Sequence, residues 1–159
     1  RRGIVRVLDQ GAVRDSRRLR GRHRRVCHRH PDQDHAREAG EELMDAICAK
    51  DGVRAASVVR AISQAGTSYD IFLRQIIRNF RFLFLATLDA SFEKDLQTLI
   101  DAKEHDFLMQ RKGKLSSDEL RTVLATLLYT ANVRYESPYP SLPLELAVSK
   151  IMSVLEKKQ

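Results

Sequence analysis

From Glu38 onward apolar residues recur at three- and four-residue intervals, and glycines, an Asp-Gly pair and prolines break the runs. That period puts side chains on one face of an α-helix, so the pattern predicts helix after helix with short connectors. Glu41 to Lys50 carries Leu43, Met44 and Ile47 on one side, and Asp51-Gly52 ends the run while offering Asp51 as the next cap. Val53 to Ala65 then presents Val58, Val59 and Ile62 and stops at Gly66, which completes a first helical hairpin.

The third helix can be capped by Thr67 or Ser68, with Asp70 near its positive end. Its apolar face runs through Phe72, Leu73, Ile76, Ile77, Phe80, Leu83 and Phe84, while Arg74, Arg78 and Arg81 line the opposite face. Beyond Arg81 the polar face is lost, because Phe82, Leu83, Phe84, Leu85 and Leu88 surround the helix. That half needs cover from the rest of the bundle or from another subunit.

Phe92 to Phe107 reads as one weaker helix, with Leu96, Leu99 and Ile100 apolar, and Lys112-Gly113-Lys114 as an exposed connector. Leu115 to Tyr135 opens with a capping box, Ser116 three residues before Glu119. Pro138, Pro140 and Pro143 hold the following backbone extended, and the last helix starts near Pro143 with Leu144, Leu146, Ala147, Ile151, Val154 and Leu155. No β-type alternation of useful length interrupts this succession. The expected fold is an all-α bundle of about five to six helices over residues 38–159.

Charge separates the N-terminal part from this body. Of 28 Lys and Arg and 21 Asp and Glu, residues 1–37 hold twelve Arg against Asp9, Asp15, Asp32 and Asp34, a balance of +8. Sixteen basic and seventeen acidic residues remain, so residues 38–159 sum to −1. The basic isoelectric point therefore concerns residues 1–37 alone. Arg14 to His30 has no apolar period, the composition of a solvated or disordered run.

An arginine tract can contact phosphate backbones, and a nucleic-acid-binding module would use Arg17, Arg18, Arg20, Arg22, Arg24 and Arg25. Aromatic residues that would stack on bases are absent before Tyr69, so a segment without a binding role is the competing reading. Cys27, His28, His30, Asp32, Asp34 and His35 crowd together, but zinc ligands come in spaced pairs and no second cluster follows. No metal or cofactor is expected. Gly113-Lys114 lacks the upstream glycine and strand of a phosphate-binding loop, and His105 has no recognisable nucleophile or carboxylate partner. The chain does not read as an enzyme. Two cysteines, Cys27 and Cys48, suit a reducing cytoplasm, and no run is long enough to span a membrane.

A family resemblance enters at Tyr135-Glu136-Ser137-Pro138-Tyr139-Pro140-Ser141-Leu142-Pro143-Leu144-Glu145-Leu146-Ala147. This stretch resembles the closing segment of the gamma/tau subunit of bacterial DNA polymerase III, although Ser141 stands where that family often has Arg. Upstream, Leu43-Met44-Asp45-Ala46-Ile47, Lys50-Asp51 and Val58-Val59 are similar to the first hairpin of the family's collar domain. Phe72-Leu73-Arg74-Gln75-Ile76-Ile77 and Phe80-Arg81-Phe82-Leu83-Phe84 resemble its next helix. Val7-Leu8-Asp9-Gln10 resembles the end of a lid-domain motif with Arg2 on the sensor arginine, while Gly3 and Arg6 depart from it. Between Gln10 and about Glu41 the likeness lapses.

The resemblance implies a helical collar that assembles clamp-loader subunits, while nucleotide hydrolysis belongs to an ATPase module not represented in residues 1–159. Expected partners are related clamp-loader subunits or further copies of the chain, with DNA contact at most weak or indirect and no membrane. Association would bury Phe82, Phe84, Leu85, Leu88, Leu144, Leu146 and Ile151.

Overall fold

A computed structural model describes residues 31–132 and 139–157, and all regular structure within them is α-helical. Seven helices follow one another: α1 (Pro31–Cys48), α2 (Gly52–Ala65), α3 (Tyr69–Leu88), α4 (Phe92–Leu99), α5 (Ala102–Met109), α6 (Ser117–Asn132) and α7 (Leu142–Glu156). The arginine tract, Cys27, His28, His30 and Pro138 lie outside the described residues. From Pro140 the backbone is not extended as expected: Pro140 and Ser141 form a turn, in which the Leu142 N–H donates to the Tyr139 carbonyl at 3.1 Å, and Pro143 stands in the first turn of α7, where its missing N–H costs nothing.

The count exceeds the expected five to six because the run from Phe92 to Phe107 is two helices. Ile100 is extended (φ −130°, ψ 163°), and the Asp101 carboxylate accepts from the Glu104 N–H at 2.8 Å, so α5 starts on its own N-cap. At the other end α1 begins at Pro31, ahead of the expected Glu41. The boundary expected between residues 37 and 38 therefore falls inside a continuous helix. Ala36 is already buried there, but one small apolar residue among charged ones carries too little periodicity to register.

Other helix ends follow the local signals. The Asp51 carboxylate accepts from the Arg54 N–H at 2.9 Å, and Gly66 adopts a left-handed φ of 68° that releases the chain from α2. The α6 capping box forms in both directions: the Ser116 N–H donates to Glu119 Oε2 at 2.7 Å and the Glu119 N–H to Ser116 Oγ at 3.3 Å. Ser68 occupies the N-cap position of α3 without a side-chain hydrogen bond, and Thr67 is buried instead.

Five helices form a closed cycle, with α1 on α2 and α3, α3 on α6, α6 on α7, and α7 back on α2. Phe72, Ile76, Phe80 and Leu83 of α3 pack there in one cluster with Leu43, Met44 and Ile47 of α1, Ile62 of α2, Leu120 of α6 and Ile151 of α7. Each such side chain contributes roughly 1.5–3 kcal/mol by leaving water. The short α4 and α5 pack on α3 and on each other. They supply cover for the last turns of α3, where the Phe82 and Phe92 rings meet at 6.4 Å between centroids.

Candidate functional site

The residues expected at an interface divide into three groups. Phe82, Leu144 and Ile151 are buried within the chain, and their assignment to an interface is corrected accordingly. Phe82 is held by Phe92, while Leu144 and Ile151 occupy the inward face of α7. Phe84 and Leu85 are half-buried, Phe84 against the core. Leu88 and Leu146 are exposed, at 59% and 57%.

The outward face of α6 and α7 holds further apolar surface that the helical period had hidden. Tyr129 is 63% exposed on α6, and Leu142 joins Leu146 on α7. Because α7 lies between α2 and α6, a groove runs along each of its sides. The α2 side, about 370 Å³, is floored by Gly52, Ala56, Val148 and Met152 and bordered by Glu145 and Glu156. The α6 side, about 480 Å³, is bordered by Arg121, Tyr129 and Lys150. The two flanks of one helix thus carry opposite charge.

Lys50 locks the elements that present this face, and two further charged contacts tie α5 and the segment after it to α3 and α1. Lys50, in a left-handed conformation with φ 57°, donates from Nζ to Glu119 Oε1 at 3.1 Å and to the Leu155 carbonyl at 3.5 Å. It thereby ties the end of α1 to the start of α6 and the end of α7. The Ser116 N–H, and after it the Lys50 ammonium, holds the Glu119 carboxyl below its ordinary value, against the opposing effect of burial. A depressed carboxyl stabilises the fold above its unfolded value, about 4.3, and that contribution is lost as pH falls through the folded one. Glu119→Gln is therefore expected to lower unfolding free energy by about 1 kcal/mol at pH 7. In urea titrations the gap from the parent should narrow steadily below about pH 4.3; a constant gap down to pH 3 would contradict this role.

Arg78 belongs to the stripe expected to be solvated, yet it faces α5. Its guanidinium lies 2.9 Å from Glu104 Oε1, donates to Oε2 at 3.2 Å, and sits 5.1 Å above the Phe82 ring. Arg74 and Arg81 remain exposed. Arg111 is buried after α5: its Nε donates to Asp45 Oδ1 at 2.5 Å, its Nη1 donates to the Phe107 carbonyl, and its guanidinium stacks 3.4 Å from the Phe107 ring centroid. Periodicity cannot find such pairs, since it assigns every charge to the surface. The only signal was the departure of Arg111 and Glu104 from any exposed stripe.

Burial pushes the Cys48 thiol up to about 11, outweighing the nearby Lys114 and Arg111. In a Cys27→Ser background, Cys48 is expected to resist an aromatic disulfide reagent at pH 8 until denaturant is added. Stoichiometric labelling of the folded chain within minutes would show an open site instead. The His105 Nδ1 lies 3.5 Å from the Asp106 carboxylate, and its buried Nε2 has no hydrogen-bond partner among the described residues. Among the described residues no three His, Cys, Asp or Glu side chains converge as metal ligands, and no helix is long and apolar enough to cross a membrane.

Neither family models, curated proteins nor solved structures give a match to this chain.

Proposed function

We propose that this chain is the subunit-assembly domain of a bacterial DNA polymerase III clamp loader of the gamma/tau type, working in the cytoplasm during DNA replication. The observation that supports the reading most is the exposed apolar face of Tyr129, Leu142 and Leu146. It lies on the two helices that flank the proline-rich stretch bearing the family resemblance. Monomeric domains scatter such residues singly, whereas three of them on two helices packed against each other fit an interface.

Mechanistically the domain is a rigid presenter. The closed helical cycle holds α7 at a fixed angle, and association proceeds by removing Leu142, Leu146 and Tyr129 from water. Each would contribute up to roughly 1.5–3 kcal/mol on full burial. Clamp opening and ATP hydrolysis belong, on this reading, to the complete assembly.

Light scattering coupled to size exclusion, on mixtures with related bacterial clamp-loader subunits, tests the reading. Co-elution is expected for the parent chain and its loss for Leu88→Asp combined with Leu146→Asp. Both positions are exposed, so the double variant should keep its helical circular dichroism. A folded parent chain that binds none of those subunits would overturn the proposal.

A further inference from the structure

Helices α4 and α5 stand outside the closed cycle, packed on α3 and on each other. What they bury is small and largely polar. Between Ser91 and Lys112 the buried apolar side chains are Leu96 and Leu108, and with them two charged residues, Glu104 and Arg111, are withdrawn from water. The His105 Nε2 is buried there as well, without a hydrogen-bond partner among the described residues. Lifting such a unit off exposes little apolar surface and returns two charges and an imidazole nitrogen to water, which offsets much of the cost. In contrast, α3 commits Phe72, Leu73, Ile76, Phe80 and Leu83 to the core.

Both ends of the pair are built to turn. Ahead of α4, Asp89 leaves α3 in an extended conformation (φ −135°, ψ 113°), and its carboxylate accepts from the Ser91 N–H at 2.8 Å. Beyond α5, Gly113 takes a left-handed φ of 85°, with nothing within 4 Å of the place a side chain would occupy. Buried Leu115 then returns the chain to the body. Between these points Lys112 Nζ donates to Glu93 Oε2 at 2.8 Å, which ties the first turn of α4 to the segment after α5. Two latches hold the unit down, Glu104 on Arg78 of α3 and Arg111 on Asp45 of α1.

We propose that α4 and α5 form a hinged cover that opens as one unit about Asp89–Ser91 and Gly113 while the five-helix cycle stays closed. Opening uncovers an apolar strip on α3. Phe82, Leu85 and Leu88 follow at three-residue steps that curl round the helix, from buried through half-buried to exposed, so the strip already emerges from beneath the cover. The Phe92 ring that rests on Phe82 leaves with α4. Release of Arg111 also unroofs Cys48, which lies one turn beyond Asp45 on the same side of α1, with Lys114 and Arg111 near its thiol.

Hydrogen exchange of the full chain, read by mass spectrometry in urea below the main unfolding transition, tests the cover. The hydrogen-bonded amides of α4 and α5 are expected to exchange together, at least about tenfold faster than those of Phe72–Leu83 and with little urea dependence. Arg78→Met removes one latch and leaves Glu104 without its partner, so it should speed exchange in α4 and α5 by about tenfold or more while α6 and α7 keep the parent's rates. In a Cys27→Ser background, labelling of Cys48 over hours in the same urea should quicken with it. Ile62→Ala weakens the main core from α2, and should lower the main transition while leaving both rates where they were. Amides of α4 and α5 that share the rate and urea slope of Phe72–Leu83 would overturn the cover, and unrelated rates in α4 and α5 would overturn its opening as one unit. These two comparisons need only the parent chain and stand whether or not a variant folds. Labelling of Cys48 that follows Ile62→Ala instead of Arg78→Met would overturn the route to the thiol.

Discussion

Phe80→Ala is expected to cost about 3–5 kcal/mol of unfolding free energy, the range for removing a large aromatic side chain from a packed interior. Phe80 is fully buried on α3, the helix that touches α1, α4, α5 and α6. Its removal leaves a void bordered by elements that are themselves held by other contacts, so the surroundings can close only in part. Because domains of this size are stable by about 5–15 kcal/mol in total, the variant should unfold at low urea with little change in slope. Leu88→Ala on the same helix serves as the control. It truncates an exposed side chain, and a shift within about 0.5 kcal/mol is expected. Equal effects at the two positions would mean that α3 is not seated as described.

The second large effect concerns Asp45 and Arg111. Asp45→Ala leaves a buried guanidinium with only the Phe107 carbonyl and ring for company, and removing one partner of a buried pair typically costs about 3–5 kcal/mol. The Asp45 side chain is 29% exposed, so some water can reach the site, and about 3 kcal/mol is the expected loss. Asp45→Ala combined with Arg111→Met should recover about 1–2 kcal/mol of it, since methionine keeps most of the stem without a charge to desolvate. Chemical denaturation of the three variants checks this. A double variant less stable than Asp45→Ala alone would indicate that Arg111 works mainly through its stack on Phe107.

Legibility of this fold in the sequence tracked how local each signal was. Asp51, Gly66 and the Ser116–Glu119 box act within one turn, and each does in the structure what its spacing implied. The break at Ile100-Asp101 escaped because Ile100 continues the apolar period and Asp101 alone is a weak cap signal. Long-range facts were hidden altogether. Whether Phe82 faced a partner or the chain itself depended on where α4 folds back, and Glu104, Arg111 and Glu119 are charges whose partners lie 26, 66 and 69 residues away. Of the residues expected at an interface, Leu88 and Leu146 are exposed, whereas Tyr129 and the charged flanks of α7 emerge only once α2 and α6 are set on either side.

The closed cycle of helices also sets an order of events during synthesis. Of the seven described helices α7 is made last, yet it sits between α2 and α6 and its Leu155 carbonyl receives Lys50 from beyond the end of α1. Until residue 155 leaves the ribosome, the sides of α2 and α6 that α7 will cover stay open to any other apolar surface. The uncovered faces of α2 and α6 therefore wait for α7, and neighbouring nascent chains would meet them in that state with the same faces open.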